Sequence, residues 1–187
     1  MDEAGRGAWA GPVAAGAVIL PAYTEEISLV LHGVRDSKQM TIKQRFYWAG
    51  VIRQKATAWG VGLASQQEID ELGILPATRL AMKRAISNLA LEPDHILLDA
   101  VLIRDLDVNQ TALIKGDMIS LSIAAASVLA KTARDLIMME MDDVYPGYGF
   151  SRHKGYGTKI HQTALAEKGI CEIHRRSFRP VKDLLVS

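Results

Sequence analysis

Four acidic residues stand where chemistry could be done. Asp2 and Glu3 are adjacent beside a glycine-rich turn, Asp99 lies near the end of the apolar run 94–100 (DHILLDA), and Asp117 follows Gly116 where a helical pattern begins. In α/β folds, strand ends and helix starts converge at one sheet edge, where ligands bind. Three or four carboxylates gathered there repel one another and raise each other's pKa unless a cation lies among them. Oxygen donors without clustered Cys or His favour a hard ion, Mg²⁺ or Mn²⁺, over zinc. Such sites commonly hydrolyse phosphodiesters with two ions about 3.5–4 Å apart, one activating water and the other stabilising the leaving oxygen. Taken singly, each acid also has a plainer reading. Asp117 is a possible helix N-cap, Asp99 a strand end in solvent, and Asp2-Glu3 a frayed acidic terminus.

These residues need a scaffold, and the pattern supplies one. Residues 13–20 (VAAGAVIL), 58–64 (AWGVGLA), 94–100 and 111–115 read as strands. Thr41 caps a helix running to Lys55, with Phe46, Val51 and Ile52 on its apolar face. Ser65 with Glu68 forms a capping box for a short helix ending near Gly73. Pro76 opens another, in which Leu80, Met82, Ala85, Ile86 and Leu89 keep helical spacing. Gly116 breaks into a long helix over about 118–142, whose alanine-rich stretch 123–130 suits tight helix packing. The order predicts an α/β domain with a mixed sheet. Residues 145–158 read as a loop and 159–168 as a helix. Asp135 shares a helical face with Asp117, but about 27 Å of unbroken helix would separate them. A salt bridge is the expected role.

The 187 residues, 49% hydrophobic and 23% charged, exclude disordered and low-complexity chains. They suffice for one solid core. A formal charge of +1 means that any polyanion site must be local. From Arg152 to Lys182 there are eight Lys and Arg against two Glu, so the C-terminal part is the basic one. A single cysteine, Cys171, leaves no intrachain disulfide framework and no paired-cysteine zinc motif, which fits a reducing cytoplasm. No run of about 18 apolar residues would span a membrane. The uncharged stretch 8–20 is interrupted by Gly11, Pro12 and Gly16 and follows Asp2 and Glu3, unlike a signal peptide.

The blocks Asp2-Glu3-Ala4-Gly5-Arg6-Gly7, Ala10-Gly11-Pro12-Val13, Asp36-Ser37-Lys38, Leu98-Asp99-Ala100 and Lys115-Gly116-Asp117 occur in that order. They continue through 122–127 (SIAAAS), Ala130-Lys131, 145–150 (YPGYGF), Lys154-Gly155-Tyr156 and 174–178 (HRRSF). This ordered set resembles type 2 ribonuclease H (ribonuclease HII) over almost the whole chain. The resemblance implies a ribonuclease H-like α/β fold, a mixed central sheet flanked by helices with a C-terminal helical extension. Residues 1–144 would form the catalytic domain, and 145–187 a substrate-binding extension packed on it as a single unit.

By the same resemblance, Asp2, Glu3, Asp99 and Asp117 are the catalytic carboxylates and metal ligands, holding two Mg²⁺ or Mn²⁺ ions during catalysis. The implied enzyme is a monomer acting in ribonucleotide removal. It would cut the RNA strand of RNA–DNA hybrids and nick duplex DNA 5′ to a single ribonucleotide, leaving 3′-hydroxyl and 5′-phosphate. Glycines let backbone approach nucleic acid closely; Gly5, Arg6 and Gly7 would sense the ribose 2′-hydroxyl, and Tyr156 would stack on the next sugar. Lys38 and Lys131 are candidate phosphate contacts, with Arg175 and Arg176 more loosely; a solvated basic face is the alternative for all four. His153, His161 and His174 lack tight zinc spacing and read as loop or surface residues. Family members carry an apolar lead-in before the Asp-Glu pair, whereas Met1 precedes Asp2 directly. That predicts a shortened first strand and lowered stability. A non-catalytic hybrid-binding module and another nuclease of this fold, such as a junction resolvase, are the rival readings.

Overall fold

The computed structural model describes residues 1–22, 25–104 and 106–185. In chain order they form β1 (Asp2–Ala4), β2 (Val13–Ile19), α1 (Glu25–Val30), α2 (Ile42–Lys55), β3 (Ala58–Ala64), α3 (Gln66–Leu72) and α4 (Ile74–Ser87). There follow β4 (His95–Asp99), β5 (Asn109–Leu113), α5 (Gly116–Ile119), α6 (Leu121–Val144), α7 (Phe150–His153), α8 (Lys159–Lys168) and α9 (Arg179–Lys182). Strands β1, β2 and β3 pair antiparallel, with Asp2 opposite Gly16, while β4 and β5 pair parallel. Met1 joins the two sheets: its amino group donates to the Leu97 carbonyl, and its carbonyl accepts from the Asp99 N–H. These bonds flank Leu98 in the parallel pattern and set Asp2 beside Asp99.

The strands are built from small residues so that helices can lie against their backbones. A Cβ at Gly62 would stand 2.1 Å from the Ala81 carbonyl oxygen of α4, and one at Gly16 would stand 2.3 Å from the Ala126 oxygen of α6. Alternation along β2 then sorts the core. Val13, Ala15 and Ala17 pack with Ala81, Met82, Ala85, Ile96 and Leu98 on the α4 side. Val18 packs on the opposite side with Leu31, Ile52 and the apolar face of α6. A third cluster, with Met138, Tyr148, Phe150, Ala164 and Ile173, ties the C-terminal segment to the far end of α6. Capping boxes start α2 at Thr41 with Gln44 and α3 at Ser65 with Glu68.

Four local expectations need correction. The helix expected over 118–142 is two, because Ser120 is extended (φ −125°, ψ 118°) and its Oγ accepts from the Ile123 N–H to start α6. A serine at such a point competes as a cap against helix continuation. Asp117 consequently sits inside the short α5, whose N-cap is Lys115, and is not itself a cap. The strand expected at 111–115 runs two residues earlier, since Lys115 is left-handed (φ 56°) at the turn into α5. Within the expected loop 145–158, Phe150–His153 forms one helical turn.

The histidines differ most from expectation. His153, His161 and His174 are all buried, and the His153 and His161 rings stack with centroids 4.4 Å apart. Main-chain N–H groups of Gly155 and Cys171 donate to Nδ1 of His153 and His174. His174 Nε2 is therefore the donor to His161 Nε2 at 3.0 Å, which leaves His161 Nδ1 to donate to the Tyr156 carbonyl. Neutral imidazoles satisfied in this way tolerate burial, and burial pushes the His161 pKa down to about 4.

Candidate metal centre and nucleic-acid cleft

The β1 register, the end of β4 and the start of α5 bring Asp2, Asp99 and Asp117 together. One carboxylate oxygen from each lies within 4.8 Å of the others. The Gly116 N–H donates to Asp99 Oδ1 at 2.9 Å, fixing α5 against β4. Two non-glycine residues bracket this junction in the left-handed region, Ala100 (φ 61°) and Lys115 (φ 56°). Each costs on the order of 1 kcal/mol, so the surrounding contacts hold the turn in place.

The electrostatics of the trio suit a cation. Burial pushes the Asp2 carboxyl up to about 7, helped by the charges of Glu3 and Asp99 and opposed by hydrogen bonds from Ser127 and the Glu3 N–H. Asp117 is also raised, by burial and then by Asp36 and Asp99, with Lys38 opposing. Lys38 is partly desolvated, but Asp36, Asp2, Asp117 and Asp99 together hold its pKa above the ordinary value.

Glu3 stands outside this group of three. Its Oε1 accepts from Arg6 Nη1 at 2.9 Å, and its buried Oε2 has no partner among the described residues. Successive strand residues point to opposite sides, yet Glu3 remains close enough to raise the Asp2 pKa. A crowded oxygen-only trio with an orphaned carboxylate oxygen beside it is a donor set that hard divalent cations would satisfy.

Glu3 also lines a cleft of about 790 Å³, whose walls include Gly5, Arg6, Gly7, Lys38, Lys131, Tyr156 and Phe178. The expected substrate-binding residues thus share one concavity. Lys131 Nζ lies 5.5 Å from the Tyr156 ring centroid and 2.7 Å from Asp135 Oδ1. Asp135 takes the expected salt-bridge role twice, since its Oδ2 accepts from Arg45 Nη2 at 2.9 Å. Arg45 also donates to the carbonyls of Ser37 and Met40, anchoring the turn that carries Lys38.

Arg175 is not available to a phosphate. It is fully buried, and its guanidinium donates to the carbonyls of Gly11, Arg6 and Pro12. Arg176 is exposed, with its backbone N–H donating to Asp70. Residue reading alone missed Ser127, Arg45 and Arg134. A lone buried hydroxyl or guanidinium leaves no spacing pattern, although the Arg134-Asp135 pair on an apolar helix face was a visible anomaly.

The fold is similar to that of ribonuclease H2 from Pyrococcus horikoshii OT3, with TM-score 0.75, 26% identity, and coverage of 98% of this chain and 94% of that one. It is also similar to Bst-RNase HIII solved in complex with Mn²⁺, with TM-score 0.68 and 19% identity, covering 99% of this chain and 68% of that one. Fold and site together define a metal-dependent phosphodiester hydrolase of the ribonuclease H-like class. Residues 1–181 match the family model described as Ribonuclease HII. A Ribonuclease HII of Synechococcus sp. (strain JA-3-3Ab) is 53% identical over 184 residues, covering 98% of this chain and 82% of the relative. The chain belongs to the ribonuclease HII family, endonucleases acting on RNA–DNA substrates with divalent metal.

Proposed function

We propose that this enzyme cuts the RNA strand of hybrids and also nicks duplex DNA 5′ to a single embedded ribonucleotide, acting as a monomer with two Mg²⁺ or Mn²⁺ ions. Products would carry 3′-hydroxyl and 5′-phosphate ends. The observation that carries this reading is the single cleft in which the Gly5-Arg6-Gly7 turn and Tyr156 share walls with Glu3, next to the aspartate trio.

Asp2, Asp99 and Asp117 would hold the cations, with Glu3 Oε2 as the further donor. Divalent ions there supply Lewis-acid activation of water and charge neutralisation at the phosphate and the departing oxygen. Asp2, with its pKa near 7, must give up its proton before it serves as a ligand. The backbone of Gly5, Arg6 and Gly7 offers groups to the ribose 2′-hydroxyl, which distinguishes RNA from DNA. Tyr156 presents its ring to the neighbouring sugar, and Lys38 and Lys131 position the phosphates. Residues 145–187 would serve as the substrate-binding extension.

The test is incision of a duplex carrying one ribonucleotide, with and without EDTA, followed by end-group analysis. Metal-dependent incision on the 5′ side, lost in Asp99→Asn, supports the proposal. Incision of hybrids alone would remove the single-ribonucleotide part, and metal-independent cutting would remove the mechanism.

A further inference from the structure

Arg134 and Arg175 are the bulkiest fully buried side chains among the described residues, and neither has a carboxylate at ion-pair distance there. Burying an uncompensated guanidinium is costly unless every donor finds an acceptor. Burial pushes the Arg134 pKa down accordingly. Its donors go to main-chain carbonyls: Nε to Pro12 at 2.8 Å, Nη1 to Lys154 at 2.9 Å and Nη2 to Ala10 at 3.0 Å.

Those carbonyls belong to two separate segments. Ala10 and Pro12 follow the Gly5-Arg6-Gly7 turn, and Lys154 precedes Tyr156 by two residues. The guanidinium carbon also stands 5.4 Å from the Tyr156 ring centroid. On the other side Arg134 fills the space beneath Gly5, where an added Cβ would lie 2.0 Å from Nε. One planar cation therefore abuts both the glycine turn and the tyrosine ring. Arg175 backs the same arrangement, sharing the Pro12 carbonyl and holding the Arg6 carbonyl at 2.9 Å.

We propose that Arg134 is a positioning residue for ribose recognition, setting the gap between the Gly5-Arg6-Gly7 turn and the Tyr156 ring so that two adjacent sugars are read together. This inference rests on the substrate-reading roles proposed above for that turn and Tyr156. Lysine keeps the charge but lacks the planar fork that spans three carbonyls, so Arg134→Lys should relax the gap without removing either element.

The experiment measures kcat and KM on a single-ribonucleotide duplex and on a uniform hybrid, for Arg134→Lys, Tyr156→Ala and the double variant, each with its thermal melt. Arg134→Lys is expected to lose about tenfold more kcat on the single-ribonucleotide duplex than on the hybrid, with KM little changed. The double variant should then be no more substrate-selective than Tyr156→Ala alone. Equal losses on both substrates, or additive losses in the double variant, overturn the inference. An unselective Tyr156→Ala instead removes the reading of Tyr156 and this inference with it. A selective Tyr156→Ala beside an unselective Arg134→Lys removes only the role of Arg134.

A second measurement leaves Arg134 unaltered, in case its replacement does not fold. The ¹⁵N-labelled Arg134 Nε–H resonance should move in Tyr156→Leu, which loses the ring, and stay in place in Tyr156→Phe. A resonance indifferent to Tyr156→Leu overturns the coupling.

Discussion

The hydroxyls of Ser37 and Ser127 lie 2.8 Å apart, and the Ser127 hydroxyl favours the ionised form of the buried Asp2 carboxyl. One serine on α6 thus connects the turn carrying Lys38 to the most deeply buried acid of the candidate metal centre.

Ser127→Ala should raise the Asp2 pKa further, because the lost hydroxyl favours the ionised form. Hydrogen bonds to charged groups contribute about 1.5–3 kcal/mol, so Mn²⁺ affinity at neutral pH should fall about tenfold or more. Protons and metal compete for Asp2, so the deficit should narrow as pH rises above the shifted pKa. Calorimetric Mn²⁺ titrations at several pH values check this; a deficit independent of pH would contradict it.

Asp99→Asn should melt higher than the parent enzyme in EDTA, because one of three crowded charges is gone. For a chain of this size each kcal/mol corresponds to about 2–4 °C. The same variant should lose both cleavage and the rise in melting temperature that Mn²⁺ gives the parent. Scanning calorimetry with and without Mn²⁺ reads all but the cleavage. An Asp99→Asn protein still stabilised by Mn²⁺ would place the ion elsewhere.

Asp135→Ala strands the buried Arg45 and the partly buried Lys131, and should cost about 3–5 kcal/mol. Lys131→Ala leaves the Arg45–Asp135 pair intact and should cost less. Its signature is in binding, where removing one phosphate contact lowers the salt slope of hybrid affinity by about 1. Denaturant melts and binding isotherms across a salt series separate the two effects; a large stability loss with no change of slope in Lys131→Ala would refute the contact.

His161 supplies an acid-sensitive component of stability. Its pKa near 4 in the fold lies below the ordinary value of 6.5. Between these values the unfolded chain binds more protons than the native one, so stability is fully present above about pH 6.5 and falls as pH drops towards 4. The contribution is of order 3 kcal/mol at about 1.4 kcal/mol per pKa unit. Asp2 tends the opposite way without metal, so the informative quantity is the difference between wild type and His161→Asn. That variant should show a flatter dependence over this interval, and parallel curves would refute the assignment.

The strands 13–20 and 58–64, the cap at Thr41 and the box at Ser65 were legible because period, length and cap residues agree locally. The break at Ser120 was hidden because apolar residues run through Met118 and Ile119, masking a cap within an apparent helix. The family blocks named the acids, but residue order could not show that Glu3 would take Arg6 as its partner. Buried histidines and arginines were misread or missed for one reason. Main-chain groups supply most of their partners, as for Arg134, His153 and Arg175, and nothing in the sequence announces that arrangement.

The contact between Gly16 and the Ala126 carbonyl has a consequence for how such an enzyme can vary. Gly16 is the cross-strand partner of Asp2, and Ser127, Lys131 and Arg134 all ride on the helix pressed against it. A single methyl group at position 16 would lift that helix and carry all three away from the acid together. Tolerance to change must therefore reside in the loops, while the helix and strand behave as one machined part.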